Sequence, residues 1–184
     1  MGINSFSFKI RKYNINWSEN VKKIRKVAGF TLMELIIVIA IISILAAAVF
    51  WAINPARRLA EANNAQRWTD VTAILSAVSA YIVDNDGDYP AVIDDNSSTS
   101  QVLGTDSGTC DSYCGAVSTV ASCINLTADL VDNGYLPTIP TDPKTGDVGN
   151  SDYYINKEST GIITVGACDP EAEGDTTPTI RAQR

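Results

Sequence analysis

Residues 35–53, LIIVIAIISILAAAVFWAI, are apolar at every position but Ser43. A helix of that length is roughly 28 Å long, which matches the hydrocarbon core of a bilayer. Apolar on every face, it offers no side to water, so the pattern predicts a membrane span. After Asn54-Pro55 the pattern becomes amphipathic. Val71, Ile74, Leu75, Val78, Tyr81 and Ile82 recur at helical spacing. Arg57, Arg58, Glu61, Asn63, Asn64, Gln66, Arg67 and Asp70 supply the polar remainder. The helical pattern stops at Asp84-Asn85-Asp86-Gly87, where Gly87 suits a left-handed cap. Residues 30–84 thus read as one helix roughly 80 Å long, kinked or locally melted at Pro55.

Beyond the helix, short apolar runs are separated by Ser, Thr, Asp and Gly. Residues 126–133 predict a short helix closed by Gly134. An extended loop stiffened by Pro137, Pro140 and Pro143 follows. Residues 152–156 and 161–167 predict two strands, with Lys157-Glu158-Ser159-Thr160 as the hairpin turn. The expected architecture is α+β: a long N-terminal helix packed on a small antiparallel sheet of three or four strands. Its parts are a basic leader (1–29), the span (30–53), an amphipathic continuation (54–88), a small β head (89–168) and a polar tail (169–184). Pro170 and Pro178 favour an unstructured tail.

Charge divides the 184 residues in the same way. The formal net charge is −7, but the first 29 residues hold seven basic groups and one acid. The other 155 hold seven basic groups and twenty acids. Lys22, Lys23, Arg25 and Lys26 precede the span, and this bias places the N-terminus in the cytoplasm. No small-residue cleavage site follows the apolar run, so removal of the span is not expected. Histidine is absent, which excludes His-based triads and His-ligated zinc. The acidic bulk repels phosphate backbones, so nucleic acid is not an expected partner.

Glu34 stands at the head of the apolar run, where an acid costs on the order of 1–3 kcal/mol and calls for a cation. Around it, positions 26–35 read KVAGFTLMEL. This segment resembles the class III signal of type IV prepilins and type II secretion pseudopilins. The shared pattern is a basic leader ending in Gly29, then Phe30-Thr31-Leu32, then Glu34, then an apolar helix. The resemblance covers residues 22–53 closely and the remainder in outline. It implies that a prepilin peptidase cuts between Gly29 and Phe30 and methylates the new amine. It also implies that Glu34 neutralises the amine of a neighbouring subunit during assembly. The implied product is a structural, non-enzymatic filament subunit, a homopolymer of identical or related pilin subunits built by a membrane assembly platform. Its precursor crosses the inner membrane once with the head outside, and the assembled filament lies at the cell surface. Major pilins, minor pilins, and secretion and competence pseudopilins share this signal. The family's frequent proline falls about a turn earlier, near Trp51, so the position of the kink departs from the pattern. A membrane-anchored ectodomain that acts alone, as a binding module or hydrolase, is the reading from another class, with a carboxylate pair such as Asp94 and Asp95 for acid–base work.

Cys110, Cys114, Cys123 and Cys168 all lie beyond the span, where disulfides are permitted. Four cysteines allow three pairings, and spacing does not choose among them. Cys110–Cys114 with Cys123–Cys168 is the pairing expected here. Their spacing lacks paired C-x-x-C ligands and does not suggest zinc. Asp84, Asp86 and Asp88 alternate, but Tyr89 stands where a calcium loop of the EF-hand type needs Gly, which favours a helix cap. The loop 142–152 carries Asp142, Asp147 and Asp152 with Gly146 and Gly149, and is similar to a C-terminal calcium loop of some type II pseudopilins. Calcium is therefore the one candidate cofactor. Asn96-Ser97-Ser98 and Asn125-Leu126-Thr127 match the glycosylation tripeptide.

Overall fold

A computed structural model describes residues 29–108, 110, 113–115 and 117–184. The leader, apart from Gly29, lies outside the described residues. The chain divides into two compact units between Leu45 and Ala46.

Helix α1 spans Leu32–Ile53 and buries none of its residues. Thr31 caps it: the Glu34 N–H donates to Thr31 Oγ1 at 3.1 Å. A threonine at the cap with an acid three residues on is the sequence signature of a helix start. Ser43, the only polar residue in the apolar stretch, donates to the Ile39 carbonyl at 2.7 Å. Its hydroxyl is thereby satisfied within the helix, and the outer surface stays apolar. Among the described residues, α1 is the one helix long and apolar enough to cross a membrane.

A second helix, α2, spans Pro55–Asp84. The expected kink or local melting at Pro55 takes the form of a break one residue earlier, which divides the helix in two. The break is at Asn54, which adopts a left-handed conformation with φ of 47°. Proline disfavours the helical region for the residue before it, and asparagine tolerates the left-handed one. Pro55 then serves as the first residue of α2, where its missing N–H costs nothing. The Asn54 side chain accepts from the Arg57 N–H at 3.4 Å and caps the new helix. At the other end Gly87 has φ of 97°, as expected of a left-handed cap, and its N–H returns to the Ile82 carbonyl at 2.8 Å.

The head is built on a four-stranded antiparallel sheet. Its strands are β1 (Gln101–Val102), β4 (Tyr153–Lys157), β5 (Ile163–Ala167) and β6 (Arg181–Gln183), in that spatial order. A separate ribbon pairs β2 (Tyr113–Cys114) with β3 (Val117–Ser118). The expected short helix at 126–133 is a single π-helical turn, Thr127–Val131. Strand residues alternate between two faces. Tyr153, Ile155, Ile163, Val165 and Ala167 face the core with Val71, Ile74 and Val78 of α2. Leu103, Leu126, Leu130 and Ile180 complete that core.

Two expectations fail in the head. The tail is not unstructured: β6 lies in it and pairs with β5, and Ile180 is only 1% exposed. The five consecutive polar or proline positions 175–179 hid a strand whose partner is found by packing. The cysteines pair as Cys110–Cys123 and Cys114–Cys168. Cys110 already lies beside that partner's segment, because its N–H donates to the Ala121 carbonyl. Cys168 directly follows β5 and closes the β2–β3 ribbon onto the main sheet.

Candidate functional site

The loop 142–152 is held by internal contacts at Asp142 and Asp147. Arg67 of α2 reaches Asp142 through two parallel hydrogen bonds, Nε to Oδ2 at 2.5 Å and Nη2 to Oδ1 at 2.9 Å. Both side chains are completely buried. Asp142 Oδ1 also accepts from the Lys144 and Thr145 N–H groups at 2.9 and 3.2 Å. Asp147 Oδ1 accepts from the Gly149 and Asn150 N–H groups at 2.7 and 2.9 Å. Gly146 packs so closely on Asp142 that no Cβ fits between them. The structure therefore does not bring Asp142, Asp147 and Asp152 together as a calcium site. Among the described residues, no group of three or more such side chains is placed to hold a metal ion. A guanidinium takes the position that the sequence suggested for a cation.

Glu171, from the tail, completes this cluster. It contacts Arg67 Nη1 at 3.3 Å, Asn63 Nδ2 at 2.6 Å and Lys144 Nζ at 2.7 Å. These contacts, Lys144 first and Asn63 next, lower the Glu171 carboxyl to about 2. Burial pushes Asp142 up, but hydrogen bonds from Arg67, Lys144 and Thr145 outweigh it, and the net direction is down. Nearby, Tyr153 donates its hydroxyl to Asp70 at 2.8 Å. Burial, then that carboxylate, pushes the phenol far above its ordinary value.

Sequence reasoning missed Arg67 by assigning it to the polar side of α2. The signal was present. Ala60, Asn64, Arg67, Val71, Ile74 and Val78 recur at intervals of three and four, and all six are buried. The chain thus carries two polar members in its core-facing stripe. Asp95 pairs with Lys157, and Asp94 accepts from the Asn96 N–H at 3.1 Å. Neither arrangement prepares the Asp94 and Asp95 pair for acid–base work. Asp84, too, has a structural partner, the Tyr135 hydroxyl at 3.0 Å.

At the other end of the described chain, Gly29 and Phe30 precede the first turn of α1 and are exposed. Phe30 is 87% exposed. Glu34 occupies the first turn, where the positive end of the helix dipole favours a carboxylate. No Lys or Arg occurs between residues 30 and 53. The prokaryotic N-terminal methylation motif matches residues 24–50. The chain carries the type IV pilin and pseudopilin signal. No curated protein and no solved structure matches the chain significantly.

The matched stretch begins at Ile24, takes in Arg25 and Lys26, and ends three residues short of the end of α1. In a prepilin-type signal this order has a physical sense. Basic residues ahead of an apolar helix bias the orientation of a span, and the apolar helix supports membrane anchoring of the precursor. The motif implies processing by a prepilin peptidase and assembly into pilus-like polymers. The α+β head behind it, with its small antiparallel sheet, is pilin-like.

Proposed function

We propose that this chain is the precursor of a structural subunit of a type IV pilus or a closely related filament. The methylation motif seated on a fully exposed apolar helix carries this reading. The precursor inserts once, with its leader in the cytoplasm and its head outside. Cleavage after Gly29 releases the α-amine of Phe30, which is methylated. That amine is the only cation that the segment 30–53 can acquire, and it lies four residues before Glu34. Within a filament core, water is scarce and each charge is costly alone, so the carboxylate of one subunit and the amine of the next attract strongly. The pair sets the axial register. The apolar surface of α1 is buried in lipid before assembly and against other α1 helices afterwards, so extraction never exposes it to water.

The mature mass tests this directly. A chain beginning at N-methylated Phe30 supports the proposal, and a chain retaining Met1 in cells with an active prepilin peptidase overturns it. Electron microscopy with a tagged head then distinguishes long surface fibres from short periplasmic ones.

A further inference from the structure

The sheet face turned away from α2 carries a groove that the filament reading does not use. It is about 400 Å³ in volume and is lined mainly by polar side chains. Two registered rows of residues cross its floor. Tyr154 of β4 pairs with Gly166 of β5, which pairs with Arg181 of β6. Beside them, Asn156 pairs with Thr164, which pairs with Gln183.

The middle of the first row has no side chain, and that decides its shape. A Cβ on Gly166 would lie 2.5 Å from the Tyr154 ring. The ring therefore leans across the glycine, from β4 toward Arg181. Tyr154 is 5% exposed, lines the groove, and donates its hydroxyl to no described residue. Burial raises its phenol, and the nearby Arg181 charge partly offsets this.

Arg181 and Arg184 are the two head cations without an ion pair among the described residues, and of these Arg181 lines the groove. Arg57 and Arg58 pair with Glu61, Arg67 with Asp142, Lys144 with Glu171, and Lys157 with Asp95. Arg181 has no ion-pair partner among the described residues, in a chain that is strongly acidic beyond its leader. In the second row Gln183 donates one of its two amide N–H bonds to Thr164 at 3.0 Å, and its carbonyl oxygen remains as an acceptor. Glu158 at the rim accepts from Thr160 through Oε2 and keeps Oε1. The groove thus offers a guanidinium and a phenol hydroxyl at one end and two acceptors at the other. The first pair suits a single carboxylate, and the second suits hydroxyl donors. A polyanion is disfavoured by Glu158 and by the acidic surface.

We propose that this groove binds a carboxylate-bearing sugar of the hexuronate type, with the carboxylate on Arg181 and Tyr154 and the ring hydroxyls on Gln183 and Glu158. The test uses the full chain in detergent micelles, titrated with glucuronate, glucose and acetate and followed by saturation-transfer NMR. Glucuronate should bind with a dissociation constant of about 1 mM. Arg181→Gln should weaken it about tenfold, and Tyr154→Phe by about threefold. Gly166→Ala should also weaken it by displacing the Tyr154 ring. Unchanged circular dichroism and urea midpoints for Arg181→Gln and Tyr154→Phe establish that these two variants are folded. A uronate-terminated oligosaccharide should compete at the same residues. Tighter binding of it identifies a polysaccharide as the source, and equal binding identifies the free sugar. Absence of glucuronate binding at about 10 mM overturns the proposal. So does an Arg181→Gln variant that binds like the parent, or acetate or glucose binding as well as glucuronate. Self-association lost in Arg181→Gln with glucuronate binding intact assigns the groove to an acid of a second copy, and overturns the proposal too.

Discussion

Arg67 and Asp142 form a two-pronged ion pair in the core of the head, with neither side chain exposed to water. They are 75 residues apart in the chain. The contact joins the middle of α2 to the loop that precedes β4, and Glu171 extends it to the tail. One buried guanidinium thereby fixes three segments that share no hydrophobic periodicity.

Removing one partner of that pair leaves the other as an uncompensated buried charge. Arg67→Ala or Asp142→Ala should therefore cost about 3–5 kcal/mol of stability. The double variant Arg67→Met with Asp142→Leu should recover most of the loss, because an apolar pair needs no counter-charge. Urea unfolding of the three variants measures this. A single variant within about 1 kcal/mol of the parent would show that the pair contributes little.

The same cluster makes the head sensitive to acid. Asp142 and Glu171 have folded-state carboxyl values below their unfolded ones. Their contribution to stability is present above the unfolded values and is lost as pH falls through the folded ones. For Glu171 the loss begins near 4.5 and continues to about 2. Asp70 runs the other way. Burial raises it, so its protonation favours the folded state in acid and partly offsets the loss. Urea midpoints should fall between neutral pH and about pH 3, and should fall more steeply in Asp70→Asn. A midpoint independent of pH across that range contradicts the account.

The two disulfides close loops of different length, with separations of 13 and 54 residues. By chain-entropy reasoning, replacing Cys114 and Cys168 with Ser should cost about 4 kcal/mol, and replacing Cys110 and Cys123 about 3 kcal/mol. Thermal unfolding of the two double variants gives the order. The reverse order would mean that packing under the loops outweighs the constraint.

Ile180 tests the ordered tail. It is buried against the core, and Ala167 donates its N–H to the Ile180 carbonyl at 3.0 Å. Ile180→Ala should cost about 2–4 kcal/mol. A tail that is truly loose would leave the midpoint unchanged.

Glu34→Ala separates processing from assembly. The variant should still insert and be cleaved to an N-methylated Phe30, because the span and the Gly29–Phe30 bond are intact. It should yield no filament by electron microscopy, because the Phe30 amine loses its counter-charge. Normal filaments from this variant would remove Glu34 from assembly.

The sequence by itself determined whatever depends on near neighbours. The apolar run gave α1, the KVAGFTLMEL stretch carried the methylation signal, and Gly87 marked the end of α2. The short apolar runs at 152–156 and 161–167 located β4 and β5 to within two residues, because a turn-forming stretch separates them. Asn54 and Pro55 carried the helix break, although its form was decided by backbone sterics that periodicity does not register. Tertiary structure decided the rest. Cys114 meets Cys168, Arg67 meets Asp142, and β6 becomes a strand only because β5 has an open edge to pair with. The row Tyr154, Gly166 and Arg181 exists only through strand register. Each of these contacts depends on which distant segments share a core, and a local pattern holds no record of that.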